Sequence, residues 1–219
     1  MYRSHISVIG GSLWSQLCDL APARMRSARS VLLRQGDPGT HVILLASGSA
    51  LVTLTGAQGQ QILLSVRGRG EIFGELAVLD NKLRTATVTA AEVCRVHIVP
   101  AFAFLDFIDR HQLLNCLLSH AINRVREAET VRLEMATASV AMRLASALGR
   151  MVQASSLTGT ECIVRLTQAE LSQMIGASRN AVGSALRPWR LQGWLETGAA
   201  GGLVIRDIAS IQSHAYAQQ

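Results

Sequence analysis

Residues 70–87 read Gly-Glu-Ile-Phe-Gly-Glu-Leu-Ala-Val-Leu-Asp-Asn-Lys-Leu-Arg-Thr-Ala-Thr, and the texture on either side of them decides the fold. Before them, short apolar runs recur at Val31–Leu33, Val42–Leu45, Ala50–Leu54 and Ile62–Val66. The separators are Gln35-Gly36-Asp37-Pro38-Gly39, Ser47-Gly48, Gly56 to Gly59 and Gly68 to Gly70. Short strands with regular turn signals predict a sandwich or barrel. After them, Thr85, Thr87 and Thr89 alternate with Ala86, Val88 and Ala90. Cys94, Val96 and Ile98 then alternate with Arg95 and His97, before Pro100 closes the block. Period two is the strand signature. Within the stretch, a short helix could begin near Gly74 and offer free backbone N–H groups to an anion. Arg84 could supply the opposing charge, Thr85 a hydroxyl, and Glu75 an acceptor for a ribose hydroxyl. Together these describe a cradle for a nucleotide phosphate. A structural ion pair between Glu75 and Arg84 is the plainer alternative.

Outward toward the termini the pattern becomes helical. Residues 1–28 read as a short helical lead-in. From Asp109 to Met135 there is neither Gly nor Pro. Leu114, Leu118, Ala121, Val125, Ala128, Arg132 and Met135 recur at spacings of four and three, an a/d seam. Such a helix could cap the barrel, but a seam of nearly four heptads is better explained by pairing with a second copy of the chain. His111 and His120 on it read as surface or seam groups. A second helix is expected from Val140 to Gln153 after a hinge at 136–139. A loop follows at 154–160, then a short strand at Cys162–Leu166.

Thr167-Gln168-Ala169-Glu170 has capping-box form, a hydroxyl followed three residues on by a carboxylate. The helix it opens should end at Ile175, because Gly176 suits a tight turn at positive φ. Ser178 is a second N-cap, and a helix starting at Arg179 would carry Ala181, Val182, Ala185 and Leu186 on its inner face. Two helices joined by such a turn form the helix-turn-helix plan, in which the first residues of the second helix touch bases in the major groove. Arg179, Asn180 and Ser184 are the outward residues. No acid lies between Glu170 and Glu196, whereas Arg179, Arg187 and Arg190 do. Pro188 should kink or end the second helix. Trp189 and Trp194 should pack inside the domain. Leu203-Val204-Ile205, behind Gly201-Gly202, reads as a small β-wing. An αα-hairpin in an ordinary core is the alternative.

Composition fits this picture. The 219 residues are 49% hydrophobic, 16% charged and 4% aromatic, with net charge +6, so a wholly disordered chain is excluded. Lys82 is the only lysine among 21 basic residues. Cys18, Cys94, Cys116 and Cys162 form no C-x-x-C pair, so no zinc ribbon or iron–sulfur run is expected, and a reducing cytoplasm fits. No metal, membrane span or signal peptide is expected. The chain shows no H-E-x-x-H, Walker loop or G-x-S-x-G, so it is not expected to be an enzyme.

The two constellations in this order, joined by a long seam helix, resemble the cyclic-AMP receptor and fumarate–nitrate regulator family of bacterial transcription factors. Residues 73–77 and 84–88 are similar to its phosphate-binding cassette, and Thr167–Leu195 to its DNA-reading unit. The resemblance implies an α+β chain in three parts. These are a β-roll (jelly-roll) sensor at 1–108, a dimerisation helix and hinge at 109–138, and a winged helix-turn-helix domain at 139–219. It implies a homodimer acting on a double-stranded DNA operator, with RNA polymerase as a further partner and cyclic AMP or cyclic GMP as effector. The implied ligand set is Gly74, Glu75, Leu76, Ala77, Arg84 and Thr85, with Glu129 and Thr130 from the helix. The implied DNA-contacting set is Thr167, Gln168, Ser178, Arg179, Asn180 and Ser184. Where the receptor reads the purine with adjacent Thr-Ser hydroxyls, this chain has Ala128-Glu129 followed by Thr130. Where its reading helix carries Arg-Glu and an Arg four residues on, this chain has Arg179-Asn180 and Ser184, so the operator should differ at its inner base pairs. A family regulator that binds DNA without a nucleotide, and a cyclic-nucleotide-responsive protein-interaction subunit, are the alternative readings.

Overall fold

The computed structural model describes residues 4–155, 162–198 and 202–217. They fall into two compact units, within Arg3–Val125 and Arg126–Gln219. No helix among the described residues is long and apolar enough to cross a membrane.

The first unit opens with α1 (His5–Ile9) and α2 (Gly11–Asp19). Five strands follow: β1 (Ala23–Arg26), β2 (Val31–Leu33), β3 (His41–Ser47), β4 (Ala50–Thr55) and β5 (Gln61–Arg67). Then come β6 (Ile72–Phe73), α3 (Glu75–Leu79), β7 (Thr87–Ala90), β8 (Cys94–Pro100) and α4 (Ala101–Arg110). The strands build two four-stranded antiparallel sheets, ordered β1-β8-β3-β6 and β2-β7-β4-β5. This is the expected β-roll.

The uninterrupted run 42–45 has a simple cause. Ile43 and Leu45 pack into one core with Leu33, Val52, Phe73, Val88 and Val96. Val42 and Leu44 pack into another, with Trp14 and Leu17 of α2 and Phe104, Phe107 and Ile108 of α4. A strand buried on both faces cannot alternate. β7 does alternate, half-buried with buried, as its threonines and apolar residues suggest.

Two expectations about this unit change. The lead-in is not helical throughout, because β1 occupies Ala23–Arg26 and pairs with the edge of β8, Arg24 opposite Val96. Its side chains are mostly exposed, so no alternation marks it. Backbone pairing to a strand some 70 residues away makes it a strand. The long helix, α5 (Leu114–Thr137), starts at 114 rather than 109. α4 runs to Arg110, and Gln112 turns the chain with φ +54°, a left-handed conformation that neither Gly nor Pro announces. Along α5 the seam residues Leu114, Leu118 and Val125 are 57%, 55% and 59% exposed. His120, in contrast, is buried against the His5 ring and is not a surface or seam group.

The second unit contains α6 (Val140–Ser155), β9 (Cys162–Val164), α7 (Gln168–Ile175), α8 (Arg179–Leu191), β10 (Leu195–Thr197), β11 (Leu203–Ile205) and α9 (Ile208–Ala217). The three strands form an antiparallel sheet ordered β10-β11-β9, the expected wing with β9 added. Residues 156–160 of the expected loop, and Gly201 of the wing, lie outside the described residues. Pro188 neither ends nor breaks α8, which continues to Leu191. Leu186 and Trp189 flank the proline and are both fully buried, so tertiary packing holds the helix on each side of the missing N–H. Trp189 fills the core as expected, while Trp194 is half-buried, edge-on to His214.

Candidate functional site

In the first unit, four of the cradle residues gather around one turn. Gly74 ends β6 and caps α3 at φ +85°. A side chain is barred there twice over, because a Cβ would also lie 2.3 Å from Arg84 Nη1. Arg84 is 4% exposed. Its Nη1 donates to the Gly74 carbonyl at 2.6 Å and its Nη2 to the His41 carbonyl. A guanidinium has five N–H donors, so these two bonds leave the rest of the fork available. Glu75 is buried in the first turn of α3, and Ala77 is buried beyond it. Leu76 and Thr85 are exposed.

The electrostatics favour an anion. Burial pulls Arg84 below its ordinary value, and the charges of Glu75 and Asp37 push it back up. The group stays cationic at neutral pH. No hydrogen bond joins Glu75 to Arg84 among the described residues; Glu75 acts on the guanidinium through its charge. The plain ion-pair alternative is therefore not what holds Arg84, whose bonds go to backbone carbonyls. His41 is pushed below its usual range by burial and then by Arg84, which keeps a second cation out of the cradle.

The turn at 35–39 does more than separate strands. The Arg84 amide donates to the Asp37 carbonyl at 2.8 Å and the Gly36 amide to the Arg84 carbonyl at 2.9 Å. Gly39 approaches so closely that a Cβ would lie 2.4 Å from the Ala77 carbonyl oxygen of α3. Gln35 anchors this turn. Its Nε2 donates to Thr55 O at 3.0 Å, its Oε1 accepts from Thr55 N at 2.8 Å, and its backbone N–H donates to Thr87 Oγ1 at 3.1 Å. Sequence reasoning missed Gln35 as a positioning residue. Its partners stand 20 and 52 residues away, and no local spacing signals them.

Glu129 and Thr130 lie in the other compact unit, both exposed, with Thr130 Oγ1 donating to Arg126 O at 3.0 Å.

The helix pair of the second unit follows its local signals closely. Glu170 N donates to Thr167 Oγ1 at 3.2 Å, and Thr167 N donates to Glu170 Oε2 at 2.7 Å, a complete capping box. Gly176 sits at φ 59°, ψ 45°, in the left-handed region. Ser178 Oγ accepts from Ala181 N at 3.2 Å and caps α8. Leu171, Ile175, Val182 and Leu186 are buried between the helices, with Ala181 and Ala185 half-buried beside them. Ser178, Arg179, Asn180, Ser184 and Arg187 are exposed, as are Thr167 and Gln168 at the start of α7. Asn180, Ser184 and Arg187 are spaced four and three apart, so they share one face of α8. A basic and amide-bearing N-terminal face suits base edges and phosphates. Thr167→Ala should remove the cap and cost about 1 kcal/mol, read as a lower urea midpoint with unchanged slope.

Comparison with known proteins matches a domain family to each unit. The cyclic nucleotide-binding domain family matches residues 24–111, and the Crp-like helix-turn-helix domain family matches residues 142–213. A CRP-like cAMP-activated global transcriptional regulator of Mycobacterium tuberculosis is 28% identical over 165 residues, covering 74% of each chain. Among solved structures, FixK2 from Bradyrhizobium japonicum superposes with a TM-score of 0.75 at 16% identity, covering 88% of this chain and 96% of that one. The c-di-GMP-responsive global regulator CLP of Xanthomonas campestris superposes with a TM-score of 0.70 at 17% identity, covering 90% of this chain and 99% of that one.

Proposed function

The chain belongs to the cyclic-AMP receptor and fumarate–nitrate regulator family of transcription regulators, and on that premise we propose that it is a homodimeric, sequence-specific DNA-binding regulator controlled by a cyclic nucleotide held in the first unit. The buried Arg84 guanidinium carries this reading. It is a desolvated cation at a glycine turn, with part of its donor fork unused, beside a buried carboxylate. A cyclic phosphate would take the free donors and the first amides of α3, which have no partner within so short a helix. Glu75 would accept from the ribose 2′-hydroxyl, with Leu76, Ala77 and Thr85 lining the cradle. The exposed apolar residues of α5 are the surface that a second copy would cover. Two reading heads then face half-sites about 34 Å apart.

Control is a population shift. The nucleotide must bind the DNA-competent state more tightly than the other, and DNA binding in turn tightens the nucleotide. A second reading rests on a specific observation. Two bonds of Arg84 go to backbone carbonyls, so the cation is partly satisfied without a ligand, and regulation without a nucleotide is compatible with that.

Anisotropy of labelled operator DNA, with and without cyclic AMP or cyclic GMP and across a salt series, tests the proposal. A steep salt slope with nucleotide-dependent affinity supports it. A salt slope with no nucleotide effect selects the second reading, and no DNA binding under any condition refutes both. In the same assay Arg179→Ala should weaken the preferred site by about 1–3 kcal/mol and relax selection at one base pair, which a randomised-site selection reads directly.

A further inference from the structure

Three titratable side chains lie buried in the first unit, apart from the cradle. His5 of α1 is 1% exposed, Glu71 just before β6 is 0% exposed, and His120 of α5 is 4% exposed. Their ligand atoms all lie within 4.8 Å of one another. His5 Nδ1 is 2.7 Å from Glu71 Oε2, and it also faces the Ile72 N–H at 3.2 Å. One ring nitrogen thus faces a carboxylate oxygen and a backbone amide at once. The His5 and His120 rings stack with centroids 3.8 Å apart and planes 35° apart. Ser4, next to His5, keeps its Oγ buried without a hydrogen-bond partner in the structure.

From this convergence we infer that His5, Glu71 and His120 form a binding site for one divalent transition-metal ion of the Zn2+ type. Two imidazoles and one carboxylate are the donor set of open zinc and ferrous sites. Calcium and magnesium are excluded by chemistry, since they demand mostly oxygen ligands. Donors bound at about 2.0–2.1 Å in a tetrahedron stand about 3.4 Å apart. The His5–Glu71 contact would open by about 0.7 Å and the longer separations would close, a movement on the scale of a side-chain torsion. The ion would take one donor atom from each of the three side chains, and a water in its fourth position is a partner of the kind that the Ser4 hydroxyl lacks.

The position gives the ion a consequence. Its ligands come from the N-terminal helix, from the residue that leads through β6 into Gly74, and from the first half of α5. Occupancy would tie these three segments together, so metal and effector would act on the same part of the first unit through different residues.

The test uses the full-length chain, stripped of metal and titrated with Zn2+ against a chromophoric chelator, then with Co2+ followed by absorption. One ion per chain is expected, with the intense visible bands of four- or five-coordinate cobalt and no thiolate charge-transfer band. His5→Gln and His120→Gln should each weaken binding by at least about 100-fold, while His111→Gln should leave it unchanged. The melting temperature of the wild type should rise with metal, since only the folded state assembles the site. No stoichiometric binding, a six-coordinate cobalt spectrum, a thiolate band, or wild-type affinity in the two ligand variants would overturn the inference. Should a variant fail to fold by circular dichroism, the wild-type cobalt spectrum alone decides.

Discussion

Arg84→Ala is expected to lower the affinity for whichever cyclic nucleotide the wild type binds by at least about 100-fold. Hydrogen bonds to a charged group contribute about 1.5–3 kcal/mol each, and a phosphate would take at least two from this guanidinium. The truncation also removes the Arg84 donor from the Gly74 carbonyl, which keeps the Val78 N–H at 3.3 Å, and from the His41 carbonyl. Hydrogen bonds from a charged donor contribute about 1.5–3 kcal/mol each, so with these two lost the first unit should also melt earlier. Arg84→Lys separates the two effects. Lysine keeps a point charge but cannot fork between two carbonyls and a phosphate, so binding should stay well below wild type. Calorimetric titration with cyclic AMP and cyclic GMP reads the affinity, and a thermal scan without ligand reads the stability. If Arg84→Ala binds nucleotide as tightly as wild type, the cradle is not the effector site. If the wild type binds neither nucleotide, the nucleotide-controlled reading fails, while the DNA-reading half stands on its own experiment.

Trp189→Ala should have the largest effect on the second unit. Trp189 is fully buried, the largest such side chain among the described residues, and its Nε1 donates to His214 Nδ1 at 3.2 Å, tying α8 to α9. Truncating a buried tryptophan costs about 3–5 kcal/mol through lost burial and the cavity left behind, a large part of the stability of a small domain. The residue also holds α8 beyond Pro188, where a backbone hydrogen bond is missing. The expected result is loss of DNA binding with retention of nucleotide binding by the first unit, and an early transition in urea. Trp189→Phe keeps most of the volume and should lose much less. A Trp189→Ala protein that melts and binds DNA like wild type would show that α8 is held by other contacts.

What could be read in advance divides by distance along the chain. The capping box of Thr167 and Glu170, the left-handed Gly176 and the Ser178 cap each depend on partners within four residues. A hydroxyl, a carboxylate or a glycine at the right offset nearly determines such a conformation, because no loop has to close. The β-roll was legible for a related reason, since short apolar runs between turn residues have few compact solutions. Gly74 and Arg84 stand ten residues apart with only the short α3 and its following turn between them, so a local motif carries both.

The features that escaped depend on contacts that only folding creates. β1 has no apolar alternation and becomes a strand through pairing with β8. Gln112 takes a left-handed conformation that its side chain does not announce, and so divides α4 from α5. Pro188 reads as a helix end until Leu186 and Trp189 are seen buried around it. Gln35 and the His5, Glu71 and His120 cluster look ordinary in sequence. Their meaning comes from partners 20 or more residues away, brought together once the hydrophobic cores have met the entropy cost of closing those loops. The sequence by itself determined the local geometry of the helix pair and the order of the two units. The tertiary structure decided which buried polar groups meet, because such meetings follow from the packing of the whole unit and from no short-range preference of the residues involved.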